Sequence, residues 1–231
     1  MKVLFNADDF GLTKGITDGI ITSHKNGVVN STTLMMNGLA VDYALQEVKK
    51  CPTLNVGIHL VLTWGKPLRN DLPSLVNDSG YFKFTSTLDE VPNAKDVKRE
   101  WKAQIEAFIK TGLRLNHIDS HHHVHGWEPL KEVIIELAEE YRVPVRYVDS
   151  LKNYPEHLLT ETLWTGFYAD GVHNEIFHDL EILDARTVEV MTHPAYIDHE
   201  LSQVSSYVEK RKVELDILTS LQVPKWVELI S

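Results

Sequence analysis

Short apolar runs alternate with segments of helical period along most of the chain, and the alternation outlines its elements. Val3 to Ala7 reads as a buried strand that ends in Asp8-Asp9-Phe10-Gly11. Lys14 to Asn26 puts Ile16, Ile20 and Ile21 on one face and stops at Gly27, which predicts a glycine-capped helix. Ser31 to Met36 is a β-branched, apolar strand, Ala40 to Lys50 a second helix, and Asn55 to Leu60 a third strand with His59 near its end. Ala94 to Thr111 carries Val97, Trp101, Ile105 and Phe108 in helical register before Gly112. Leu113 to Ile118 predicts a short strand, Trp127 to Tyr141 a helix with Pro129 in its first turn, and Val143 to Val148 a strand bearing Arg146. Val188 to Met191 is a strand before Thr192-His193-Pro194, Val204 to Ser220 a long helix, and Trp226 to Ile230 a last strand. Thr63 to Asp89 lacks periodicity, as does most of Ser150 to His178, although Leu163 to Tyr168 reads as a strand and His173 to Leu183 as partly helical. Strands and helices alternate with no repeat or linker, so the pattern predicts one α/β domain over residues 1–231. The expected fold is a TIM-like (β/α) barrel, irregular or incompletely closed.

Composition changes this picture in three ways. With 231 residues, 43% of them hydrophobic, the chain can bury a sizeable core. A net charge of -10 without a basic stripe argues against nucleic acid or an anionic membrane surface as partner. The single cysteine, Cys51, rules out an internal disulfide, and no apolar run reaches membrane-spanning length. The start, Met1 to Ala7, is too short an apolar run for a signal peptide before Asp8, so a cytoplasmic location is the default expectation.

The candidate chemistry sits at strand ends. Five of the nine residues from His117 to His125 are histidine, out of 12 in the chain. Core packing does not call for such density, whereas metal binding and proton transfer do. Whether this run is extended or helical, the spacing predicts His121 and His125 on one face, without His122. Adjacent carboxylates at Asp8 and Asp9 are costly unless a cation or hydrogen bonds offset their repulsion. In a parallel β/α arrangement Asp8, Asp9, His59 and His121 lie at corresponding strand ends and converge on one mouth. His193, fixed before Pro194, is placed for proton transfer. Trp64 either stacks on a sugar ring or packs, and Arg146 either binds substrate or pairs with Asp149.

Four motifs together resemble the YdjC-like carbohydrate deacetylases: Asn6-Ala7-Asp8-Asp9-Phe10-Gly11-Leu12, Gly57-Ile58-His59-Leu60, His117 through His125, and Thr192-His193-Pro194-Ala195. Within these the chain is most similar to the diacetylchitobiose (chitooligosaccharide) deacetylases, along nearly its whole length. The resemblance implies a β/α barrel, a divalent metal, and hydrolysis of an N-acetyl group from an N-acetylglucosamine oligomer, plain or phosphorylated. It matches Asp9, His59 and His121 to metal ligands, Asp8 to the catalytic carboxylate and His193 to a proton donor. It points to magnesium, while two imidazole donors suit zinc or another transition metal. Asp119 would orient a ligand imidazole, and His125 is a second candidate for the acid or for substrate contact, beside Trp64 and Arg146. The expected partner is a small acetylated amino sugar, and pairing of barrels through their helices leaves a homodimer open. The rivals are a hydrolase of another small amide or phosphoester, a non-haem iron oxygenase built on the same two-histidine, one-carboxylate set, and a metal-storage module. Only an enzyme gives a reason for a carboxylate beside a ligand aspartate and for His193.

Overall fold

A computed structural model describes residues 1–230. The strands are β1 (Lys2–Phe10), β2 (Ser31–Leu34), β3 (Asn55–Leu60), β4 (Ile118–Ser120), β5 (Thr162–Trp164), β6 (Thr187–Thr192) and β7 (Glu228–Leu229). The helices are α1 (Lys14–Asn26), α2 (Val41–Val48), α3 (Ala94–Lys110), α4 (Lys131–Tyr141), α5 (Ile176–Glu181), α6 (His199–Val204) and α7 (Glu209–Ser220). The chain divides into two compact units, one of Met1–Leu34, Leu39–Asn55 and Thr160–Ser231, the other of Met35–Gly38 and Val56–Leu159. The fold is α/β, as the alternation predicts.

In the first unit β1 lies between β2 and β6, β5 extends beyond β6, and β7 pairs with the start of β1, all in parallel. β1 is buried from Val3 to Phe10 because both of its faces are covered, as is usual for a parallel strand. The strands do not close into a complete barrel: β5 has a strand neighbour on one side only. α1 begins at Thr13, whose hydroxyl accepts from the Ile16 amide. Its end departs from expectation. Gly27 takes φ -147, not a left-handed cap, and it is glycine because a Cβ there would come 2.2 Å from the Leu218 carbonyl oxygen. Gly19 meets a similar limit, since its Cβ would lie 2.4 Å from Ala195 Cα. The segment after His193 therefore rests on the backbone of α1, and the Tyr196 amide donates to the Gly15 carbonyl at 3.0 Å.

In the second unit β3 and β4 are parallel, with His59 level with Asp119. α3 buries Val97, Trp101, Ile105 and Phe108, the face its sequence predicts. It also buries Glu100 and Gln104, which tie down the unpatterned stretch after β3. Gln104 bonds both the amide and the carbonyl of Val61, at 2.8 and 2.9 Å, and Glu100 accepts from the Leu68 and Arg69 amides at 2.8 and 3.0 Å.

Several boundaries move. The strand expected over Leu113 to Ile118 forms at Ile118–Ser120, and the one expected over Val143 to Val148 reduces to single bridges at Val145. The long helix expected from Val204 begins only at Glu209: Val204 ends the separate helix α6, and in the gap the Ser205 hydroxyl accepts from the Tyr207 amide in a local turn. Cys51 is a buried free thiol. Among the described residues no helix is long and apolar enough to cross a membrane.

Crowding at Gly19 is directly testable. Gly19→Val should lower the unfolding free energy by about 1–3 kcal/mol, read from urea titrations, through overpacking against Ala195. An unchanged midpoint would contradict the close approach.

Candidate metal and catalytic site

The two adjacent aspartates owe their placement to an irregularity in β1. Its register with β2 runs Ala7 to Thr32 and then Phe10 to Leu34, three steps against two, so β1 carries one extra residue. Regular alternation would send Asp8 and Asp9 to opposite faces. The bulge, with Asp9 at φ 66, breaks that alternation at the carboxylates. Both are buried. Asp8 Oδ1 accepts from Asn6 Nδ2 at 2.8 Å, and Asp8 Oδ2 lies 4.0 Å from His193 Nε2. Asp9 Oδ2 accepts from Arg211 Nη2 at 2.6 Å.

On the neighbouring strands β3 and β4, His59 Nδ1 lies 2.7 Å from Asp119 Oδ1, and Asp119 Oδ2 lies 2.9 Å from Arg146 Nη2, all three side chains being buried. A carboxylate accepts, so Nδ1 carries the proton and Nε2 the lone pair suited to a metal. The His121 ring stands 5.5 Å from that of His59. One ligand atom each from Asp9, His59 and His121 falls within 4.8 Å of the others, and Asp8, His59 and Asp119 make a second group within the same limit. One carboxylate and two imidazoles form a donor set that fits a divalent cation and leaves coordination positions for water and substrate.

The histidine run follows neither of its expected conformations. β4 ends at Ser120, and His122 and His123 take left-handed φ values of 57 and 54. The His121 and His122 rings lie against each other, centroids 3.9 Å apart and planes tilted by 35°, and His122 Nδ1 bonds the Thr63 hydroxyl at 2.9 Å. His125 turns into the interior and does not share a face with His121. Its Nδ1 pairs with the Ser120 hydroxyl at 2.6 Å and its Nε2 donates to the Arg146 carbonyl at 3.3 Å. Burial drives its pKa down to about 3. With both ring nitrogens engaged and no surface exposed, His125 offers no contact to a substrate. Arg146 likewise takes neither expected role: it is buried against Asp119, while Asp149 bonds the Tyr147 hydroxyl. Trp64 is half-buried, its carbonyl held by Asn37 Nδ2 at 3.1 Å.

Behind His193, α7 supplies residues that the sequence reading passes over. Glu214 is buried, accepts from the His193 amide, and accepts from the Tyr207 hydroxyl at 2.6 Å. Burial raises its pKa to about 8, against the pull of those two donors and of Arg211. Arg211 Nε donates to the Tyr207 carbonyl at 2.8 Å while its Nη2 holds Asp9. Arg211, Glu214, Leu215 and Leu218 form the buried face of α7, which a charge-rich stretch disguises, and Tyr207 precedes the helix.

Comparison with known proteins covers almost the entire chain. A family model described as YdjC-like protein matches residues 2–229. A carbohydrate deacetylase of Oceanobacillus iheyensis is 56% identical over 230 residues, covering 99% of this chain and 100% of the relative. One of Halalkalibacterium halodurans is 42% identical over 240 residues, with 100% of each chain covered. The crystal structure of an Enterococcus faecalis protein, provisionally described as a cellobiose-phosphate cleavage protein, superposes with a TM-score of 0.89 at 37% identity. The match covers 95% of this chain and 90% of that one.

The buried His125 makes stability depend on pH. The unfolded histidine binds a proton near pH 6.5 and the folded one only near 3, so between these values the unfolded chain holds more protons. The contribution of His125 should therefore be lost as pH falls from about 6.5 towards 3. Urea titrations of wild type and His125→Asn should show the stability difference shrinking over that window, by about 1 kcal/mol per pH unit. A difference independent of pH would contradict the burial of a neutral imidazole.

Proposed function

The chain belongs to the YdjC-like family, and from that premise we propose that it removes an N-acetyl group from N-acetylglucosamine-containing oligosaccharides and releases acetate. The substrate class is chitobiose or a longer chitooligosaccharide, plain or 6-phosphorylated. Relatives spanning the whole chain are named carbohydrate deacetylases, which supports a hydrolase of a carbohydrate amide. The observation that carries the reading is the cluster of ligand atoms from Asp9, His59 and His121 within 4.8 Å, with Asp8 in the overlapping group.

Asp9, His59 and His121 would hold the cation. When bound, a divalent metal supplies Lewis acidity that activates water and polarises an acetyl carbonyl. The remaining steps belong to side chains. Asp8, held by Asn6, takes a proton from the water whose oxygen bonds to the acetyl carbon. His193, with its Nε2 4.0 Å from Asp8, gives a proton to the amide nitrogen as the carbon–nitrogen bond breaks. Acetate and a free amino sugar leave. The full engagement of His125 leaves the acid role to His193. Asp119 and Arg146 act on His59, fixing its ring and tautomer. Trp64, half-buried on a pinned loop, remains a candidate sugar contact.

Three outcomes are expected. Chelated protein should release no acetate from acetylated chitooligosaccharides until a divalent cation is restored. Magnesium is the ion the family points to, and zinc the one the imidazoles suit. His59→Ala and His121→Ala should each lose bound metal and turnover together; an active, metal-loaded double variant would overturn the ligand set. Asp8→Asn should still bind metal yet turn over about 100-fold more slowly or worse, and near-normal kcat would remove Asp8 as the base. A panel of plain and phosphorylated oligomers, with phosphate release followed alongside acetate, separates the deacetylase from an esterase acting on a phosphorylated sugar.

A further inference from the structure

Beside His193 lies a stacked pair of tyrosines that the proposed chemistry leaves unused. Tyr168 stacks on Tyr207 with ring centroids 4.3 Å apart and planes inclined by 26°. Both rings stand across that of His193, Tyr168 at 5.4 Å and 64°, Tyr207 at 5.8 Å and 74°. Tyr207 is held at its hydroxyl and against its ring. Its hydroxyl donates to Glu214 Oε1 at 2.6 Å and accepts from the Ala169 amide at 3.1 Å, and the Arg211 guanidinium lies 5.5 Å from its centroid.

Tyr168 is anchored differently. The next residue, Ala169, takes φ 52, a left-handed step that the Tyr207 hydroxyl stabilises through the Ala169 amide. The backbone thus presents Tyr168 on a fixed support. The residue nevertheless keeps 43% of its surface exposed, and among the described residues no hydrogen bond engages its hydroxyl. A rigidly backed, exposed aromatic ring with an open hydroxyl, placed against the group assigned as general acid, has the chemistry of a sugar platform. The carbon–hydrogen face of a pyranose packs on an aromatic face, and its hydroxyls bond at the rim. A tyrosine that only filled space on Tyr207 would not need to stand beside His193.

We propose that Tyr168 is the platform on which the sugar ring carrying the acetamido group rests, and that Tyr207 and Glu214 are positioning residues that hold it against His193. The proposal rests on the deacetylase reading and names a binding residue for that substrate class. It assigns Tyr168 to substrate affinity and leaves the bond-breaking step to Asp8 and His193.

The test measures acetate release from N-acetylated chitooligosaccharides by wild type, Tyr168→Ala and Tyr168→Phe, together with calorimetric binding of glucosamine oligomers, the deacetylated product. Tyr168→Ala should raise KM and weaken product binding about 10-fold, the scale of one aromatic contact, with kcat altered less than about 3-fold. Tyr168→Phe keeps the ring and loses only the rim hydroxyl, so it should raise KM by less than Tyr168→Ala does. Urea titrations should show all three proteins folded at zero denaturant, with Tyr168→Ala losing at most the stacking contact on Tyr207. Unchanged KM and product affinity in Tyr168→Ala, with wild type active, would overturn the platform and leave the deacetylase standing. Wild type that neither releases acetate from any acetylated amino sugar nor binds the product would overturn both.

Discussion

Three aspartates buried at strand ends set the conditions that the rest of the structure meets. A carboxylate removed from water is strongly unfavourable unless charge and hydrogen bonds replace its hydration. Asp119 receives Arg146 on one oxygen and His59 on the other. Asp9 receives Arg211, carried in on α7, and Asp8 receives the Asn6 amide nitrogen and faces His193. Apart from Asn6, which shares β1 with Asp8, each compensation draws in a group from a different segment. The Ala195 segment lies so close to α1 that only glycine fits at position 19.

The same pairings make the residues chemically unequal. Two neighbouring aspartates, identical in sequence, meet an arginine in one case and an uncharged amide with a distant imidazole in the other. In the proposed mechanism that difference assigns cation binding to the first and proton acceptance to the second. Histidine divides in the same way. His59 is oriented by a carboxylate that fixes its tautomer, His125 is locked neutral in the interior, and His193 stays partly exposed, at 12%, beside Asp8.

Elements whose character is set locally were legible in the sequence. α1 and β3 form with the expected bounds, and α3 buries the expected stripe, because periodicity and capping residues act over a few positions. Features set by distant partners were not. A strand apolar on both faces shows no alternation, so nothing in Asn6-Ala7-Asp8-Asp9 announces the bulge that aims its carboxylates. The left-handed turn at His122 and His123 lacks a glycine that would signal it, and it separates His125 from His121. Arg146 finds Asp119 across the fold rather than Asp149 nearby. Arg211 and Glu214 sit in a run of charges that resembles a solvated helix, and only their register with Leu215 and Leu218 hints at a buried face. The site's residue types could be read at strand ends, whereas its supporting partners required coordinates.

Anomalous diffraction from crystals soaked in manganese would test the central claim most directly. One strong peak within coordination distance of Asp9, His59 and His121 together is the predicted result. A peak elsewhere on the chain, or none at that cluster in fully soaked crystals, would contradict it.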